Sequence, residues 1–168
     1  MSSNKRYTNV TFTKRVDREA GRHRPPKGQS EPAVCLGCGA VYTKRRWVLG
    51  DGLSSEHFIM PRLTVCPACK RQQDGAPSGY LHASGFFLAL HHDEIEHLLR
   101  NEAARAAEDN PLGRIIDWQD KTNSLTLTTT TEHLAQRLGH ALEKAFHGEV
   151  NYDFSHENKL ARVSWHRD

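Results

Sequence analysis

The stretch Ser124-Leu125-Thr126-Leu127-Thr128-Thr129-Thr130-Thr131-Glu132-His133-Leu134-Ala135-Gln136-Arg137-Leu138-Gly139-His140-Ala141-Leu142-Glu143-Lys144-Ala145-Phe146-His147-Gly148 changes its hydrophobic period part-way along. At first Leu125 and Leu127 alternate with Thr126 and Thr128, the period of a strand with one face buried. Further on, Leu134, Leu138, Ala141, Leu142, Ala145 and Phe146 recur at helical spacing. Between the two, Thr129-Thr130-Thr131-Glu132 fits a Thr-x-x-Glu capping box, which satisfies N–H groups left over at a helix start. Gly148 suits the C-terminal cap. A half-buried strand running into an amphipathic helix predicts a two-layer α+β domain, because each element needs a partner layer to cover its apolar side.

The same alternation of element types extends outward. Arg114–Trp118 reads as a strand joined to Ser124–Thr130 through the turn residues 119–123, so the two form a hairpin. Upstream, Gly79–Leu90 is aromatic and aliphatic and reads as a buried strand. Asp93 is the expected N-cap of a helix with Ile95, Leu98, Leu99, Ala103 and Ala106 on one stripe, interrupted by Glu102. Asp109-Asn110-Pro111 stops it. Downstream, Val150, Tyr152 and Phe154 alternate in one strand, and Ala161, Val163 and Trp165 in a last one. Residues 78–168 therefore read β-α-β-β-α-β-β, a split β-α-β sandwich with an added strand and helices on one face of a mostly antiparallel sheet.

Residues 32–77 carry all four cysteines, in Cys35-Leu36-Gly37-Cys38-Gly39 and Cys66-Pro67-Ala68-Cys69-Lys70, with 27 residues between the pairs. Two C-x2-C knuckles supply the four soft ligands that a structural zinc ion takes in a tetrahedron. Gly39 lets backbone amides turn toward the sulfurs, and Lys70 adds positive charge beside a tetrathiolate. Val41, Tyr42, Trp47, Val48, Leu49 and Leu63 supply strands for a zinc ribbon. A redox pair is the competing reading. It needs a helix N-terminus after the first cysteine, which Gly37 and Pro67 fit poorly. Iron is the main competitor for the metal. Four thiolates fill the coordination shell, so the expectation is one structural ion, with His57 a surface residue.

The chain has 168 residues and a formal net charge of +3. No run of about 18 apolar residues suggests a membrane span, and the N-terminus lacks the apolar core of a secretory signal. A cytoplasmic location with reduced thiols is expected. Residues 1–31 read as a basic, flexible arm ending in Arg24-Pro25-Pro26-Lys27-Gly28. Its first thirty residues hold Lys5, Arg6, Lys14, Arg15, Arg18, Arg22, Arg24 and Lys27 against Asp17 and Glu19, a net +6, so the remainder carries −3. Such an arm is either a docking element for a polyanion or a solubilising tail.

Two further surfaces have the chemistry to meet RNA. Lys44, Arg45 and Arg46 stand beside Trp47; cations hold phosphates, and a ring either stacks a base or packs on the knuckle. His133, Arg137, His140, Lys144 and His147, at spacings of 4, 3, 4 and 3, share one helix face, either an RNA-facing ridge or a solvated side. No phosphate loop, G-x-S-x-G or H-E-x-x-H motif is present, so no enzyme activity and no small-molecule substrate are expected.

The run from Cys66-Pro67-Ala68-Cys69 to Trp165 resembles the large-ribosomal-subunit export adaptor family, of the Nmd-three type. The resemblance lies in the order of several pieces: the closing C-x2-C, Gly79-Tyr80-Leu81-His82-Ala83, and Asp93-Glu94-Ile95. Then come Ile115-Ile116-Asp117, Ser124-Leu125-Thr126-Leu127, the helix with Ala135, Leu138 and Phe146, and Gly148-Glu149-Val150. Leu160-Ala161-Arg162-Val163-Ser164 closes it. The family carries more zinc-binding cysteines than these four and a further domain. The resemblance implies a short bacterial relative that binds a ribosomal subunit or its rRNA, in stress, ribosome hibernation or subunit assembly. The alternative is a protein–protein adaptor without RNA binding.

Overall fold

The computed structural model describes residues 32–50, 61–155, 157 and 159–168. The arm, with its eight cations, and His57 lie outside the described residues. The structure is α+β, with two mixed sheets and four helices among the described residues.

Four short strands make the first sheet: β1 (Ala33–Cys35), β2 (Val41–Thr43), β3 (Arg46–Val48) and β4 (Arg62–Thr64). Their order is β3-β2-β1-β4, antiparallel except for the β1–β4 pair. Lys44 and Arg45 form the β2–β3 turn with φ of 47° and 62°. Two successive positive φ values belong to the tight turn whose twist matches a hairpin's strands. Helix α1 (Pro67–Asp74) follows, with Cys66 as its N-cap and Pro67 in its first turn. Proline suits that place, since its missing N–H would have no partner there. A core of Ala33, Tyr42, Trp47, Ala68, three cysteines and Leu112 lies beneath this sheet. Leu112 comes from far along the chain and sits 2% exposed among these residues.

The second sheet holds β5 (Gly79–Ser84), β6 (Ile115–Lys121), β7 (Ser124–Thr129), β8 (Glu149–Ser155) and β9 (Leu160–His166), in the order β6-β7-β5-β9-β8. Only β5 and β9 run parallel. Helices α2 (Phe86–Leu90), α3 (His92–Asp109) and α4 (Glu132–Phe146) complete this unit. Leu81 and Ala83, Leu125 and Leu127, and Val163 and Trp165 bring the buried sides of three strands against Leu88, Ile95, Leu99, Leu134, Leu138 and Leu142. Burying one such side chain stabilises by about 1.5–3 kcal/mol, so this layer holds the unit together. The buried Trp165 indole satisfies its N–H on the His147 carbonyl at 2.7 Å.

Three local expectations need correction. The strand at Gly79 ends at Ser84, not Leu90: Gly85, at φ 122°, turns the chain, and Phe86–Leu90 is helical with Leu88 inward and Phe86 and Leu90 exposed. An all-apolar run has no period that tells a strand from a helix. Helix α3 starts at His92, with Asp93 in its first turn, where the dipole favours acid. Thr131, not Thr129, caps α4 by accepting the Leu134 N–H at 3.3 Å, while Thr129 is still strand.

Glu102, the acid on the α3 stripe, accepts from Arg137 of α4 at 3.1 Å, and Arg137 also donates to Asp109 at 2.9 Å. The acid that breaks the α3 stripe is therefore satisfied by a cation of the facing helix.

Candidate metal centre

The two knuckles approach from different elements. Cys35 ends β1 and Cys38 lies in the turn after it, while Cys66 and Cys69 open α1. All four Sγ atoms lie within 4.8 Å of one another. Cys35 is 3.7 Å from Cys69, and Cys38 is 3.7 Å from Cys66. A regular tetrahedron of about 2.3 Å metal–sulfur bonds has edges of about 3.8 Å, so these separations suit one ion at the centre. They are far longer than the roughly 2.05 Å of a disulfide. Among the described residues this is the one group of three or more potential ligands brought together. The cluster is a candidate site for a single metal ion.

Backbone geometry prepares the sulfurs for charge. The Cys66 N–H donates to Cys35 Sγ at 3.1 Å, and the Cys69 N–H to Cys66 Sγ at 3.4 Å. Burial pushes the Cys35 thiol up, but N–H groups of Cys66, Cys38 and Gly37 outweigh it and hold the thiol at about 6. Burial pushes Cys66 up, against the Cys69 N–H, and the neighbouring Cys38 and Cys35 charges push it further. Burial also raises Cys69. Four packed thiolates repel one another, and a divalent ion offsets that repulsion. Gly37 is needed for closeness: a Cβ there would stand 2.9 Å from Cys69 Sγ. Gly39, at φ 74°, donates its N–H to the Cys35 carbonyl rather than to a sulfur. Cys38 is the exposed ligand; the other three are buried.

The helix after Cys66 corrects the argument against a redox pair, because Pro67 fits a helix start. The convergence of all four sulfurs within ligand distance of one another marks a candidate metal site rather than a two-cysteine redox pair.

Lys70 is exposed, and its backbone N–H goes to the Cys66 carbonyl. The cation that reaches the sulfurs is Arg114, just before β6. Its Nη1 donates to Cys69 Sγ at 3.3 Å and to Gln72 Oε1 at 3.3 Å, and its Nη2 lies 3.8 Å from Cys66 Sγ. Burial lowers its pKa, but the bonds to Cys38 and Cys69 reverse this and raise it. Its Nε donates to the Pro111 carbonyl at 2.9 Å, and its backbone N–H to Thr130 Oγ1 at 2.8 Å. Thr130 also donates to the Leu112 carbonyl. The loop Pro111–Arg114 is thus clamped to the end of β7 while its side chains enter the ribbon. No spacing rule nominates Arg114, since its partner Cys69 is 45 residues away.

The expected RNA contacts are divided. Lys44, Arg45 and Arg46 are exposed at the β2–β3 hairpin. Trp47 is 3% exposed and packs on Tyr42 with ring centroids 5.4 Å apart, so it is not available to stack a base. Arg137 is held by Glu102 and Asp109, which removes it from an RNA-facing ridge. His140 is three-quarters covered, with Glu143 at 3.8 Å; Lys144 is exposed.

Comparison with protein families, curated proteins and solved structures finds no match to the chain. No described helix is long and apolar enough to cross a membrane.

Proposed function

We propose that the chain is a non-enzymatic, ribosome-associated zinc protein that binds rRNA or a ribosomal subunit in the cytoplasm, in stress, ribosome hibernation or subunit assembly. The observation that carries this reading is the cationic hairpin on a metal-stapled ribbon: Lys44, Arg45 and Arg46 follow one another at an exposed tight turn. Such a turn presents point charges to phosphates without a large core behind it. The eight cations of residues 1–30 add to the same affinity, which then falls with salt. Zinc is the ion favoured by a closed tetrathiolate of this size. Its role is structural, holding two knuckles that bury too little to fold alone.

The test is co-sedimentation with ribosomes at low and moderate salt, using the full chain, a chain lacking residues 1–30, and Lys44→Glu/Arg45→Glu/Arg46→Glu. Full-chain pelleting that weakens with salt and with each change is expected. If no form pellets with any subunit at low salt, the reading fails. Elemental analysis is expected to return one zinc per chain; iron in its place overturns the metal assignment.

A second reading, a protein–protein adaptor, is favoured by the apolar residues beside the first knuckle. Leu36 and Leu63 are 67% and 62% exposed, and Val65 is 39% exposed. Val34 and Leu63 are register partners in the β1–β4 pair, and Leu36 donates to the Thr64 carbonyl at 2.8 Å, which gathers these side chains. Salt-insensitive capture of a protein with no rRNA would favour it.

A further inference from the structure

The four sulfurs of the candidate metal centre are not equally sheltered. Cys35, Cys66 and Cys69 are buried, whereas Cys38 is exposed in the turn after β1. Both members of the close pair Cys35–Cys69 are therefore covered, and the equally close pair Cys38–Cys66 has one member open to solvent. The turn itself makes the opening. Leu36, Gly37, Cys38 and Gly39 are all exposed, and the glycines on either side of Cys38 have no side chain to shield it. A Cβ at Gly39 would meet nothing within 4 Å, so the approach to the knuckle is clear.

A metal-bound cysteine is a thiolate, the form that attacks peroxides. Oxidation follows thiolate character and exposure, and it becomes reversible where a second cysteine stands close enough to close a disulfide. Cys38 meets the first condition, and Cys66, 3.7 Å away on the other knuckle, meets the second. Cys69, by contrast, is buried and accepts from Arg114. The ribbon has little else to hold it. Its four strands have three residues each, and the cysteines make up part of its small core with Tyr42 and Trp47. The β2–β3 hairpin that carries Lys44, Arg45 and Arg46 joins the sheet through β1, which ends at Cys35. Loss of the metal staple therefore loosens the support of the cationic turn.

We infer that the ribbon is a peroxide-sensitive switch, entered at Cys38, whose oxidation releases the metal and lowers RNA affinity. Cys38 Sγ attacks hydrogen peroxide; the S–O bond forms, the O–O bond breaks and hydroxide leaves. Cys66 Sγ then attacks Cys38 Sγ; the S–S bond forms, the S–O bond breaks and a second hydroxide leaves. The two sulfurs give up two electrons, the peroxide takes them, and solvent protonates the hydroxides. Cys35 and Cys69 remain as donors, two of the four that a structural zinc site uses. A dithiol reductant reverses the bond. The effect on RNA rests on the ribosome reading above; release of the metal does not.

The test treats the zinc-loaded full chain with hydrogen peroxide and follows zinc release with a chromophoric chelator. Cys38→His and Cys69→His each keep a three-cysteine, one-histidine ligand set, which zinc accepts. The parent is expected to release its zinc with loss of two thiols. Cys38→His is expected to slow release tenfold or more, and Cys69→His is not. Alkylation followed by peptide mapping is expected to recover Cys38 joined to Cys66. Should a histidine variant fail to load zinc, that mapped disulfide decides. Parent zinc that resists peroxide, release from Cys38→His at the parent rate, or a disulfide between any other pair overturns the inference. Co-sedimentation with ribosomes at low salt then compares reduced and oxidised chain. Pelleting that falls tenfold on oxidation and returns with dithiol and zinc is expected. Release through Cys38 with unchanged pelleting overturns the link to RNA affinity. No pelleting by the reduced chain overturns the ribosome reading and leaves the thiol chemistry standing.

Discussion

Removing the Arg114 guanidinium is expected to weaken metal binding tenfold to a hundredfold while leaving the larger unit folded. A divalent ion in four thiolates carries a net charge near −2, and Arg114 is the cation that donates to those sulfurs. One bond, to Cys69 at 3.3 Å, is well within range, and the second, to Cys66 at 3.8 Å, is long. A hydrogen bond between charged groups contributes about 1.5–3 kcal/mol. Arg114 is only half-buried, so solvent screens part of this, and about 1.4–2.7 kcal/mol remains. That corresponds to the tenfold to hundredfold range known for groups that support metal ligands. The assay is competition for zinc against a chromophoric chelator at fixed pH, comparing the parent with Arg114→Met and Arg114→Lys. Lysine keeps the charge but lacks the forked donors, so it is expected to fall between the other two. Zinc affinity of Arg114→Met within twofold of the parent would refute the reasoning, because the guanidinium would then contribute nothing to the charge balance.

Cys66→Ser, or removal of the ion by a chelator, is expected to unfold the ribbon while α3 and α4 persist. Near-ultraviolet signals from the buried Trp47 would be lost and most helical signal retained. Gly139→Ala places a Cβ 2.4 Å from Val163 Cγ1, where α4 crosses β9, and is expected to cost about 1–3 kcal/mol in urea unfolding. The hydrogen bond to Asp120, with a second to Asp93, raises the His92 pKa. Its stabilisation is therefore fully present below about 6.5 and is lost as pH rises through the raised folded value. The stability gap between the parent and Asp120→Asn is expected to be under about 1 kcal/mol at pH 5.5 and to vanish at pH 8.5, as read from urea midpoints.

Much of the larger unit is legible in the sequence, because Leu125/Leu127, Leu134/Leu138 and Val163/Trp165 each follow a period set by local geometry. The four candidate metal ligands are legible for the same reason, since a C-x2-C turn is a local device. Legibility fails where a run has no period, as at Phe86–Leu90, or where neighbouring residues offer the same chemistry, as in the four threonines before α4. The helix-face cations misled because spacing shows that Arg137 and His140 share a side of α4. It does not show that Glu102 and Asp109 of another helix face Arg137.

From the sequence alone follow the four sulfurs, the two-layer α+β character and the run of cations Lys44, Arg45 and Arg46, all consequences of residues close together in the chain; that these cations sit at a tight turn came from the structure. Only the tertiary structure decided that Leu112 completes the ribbon's core, that Arg114 is its cation, and that Trp47 is interior. Each of these depends on which distant segments pack together, and burial and charge compensation between such segments leave no mark on local period or spacing.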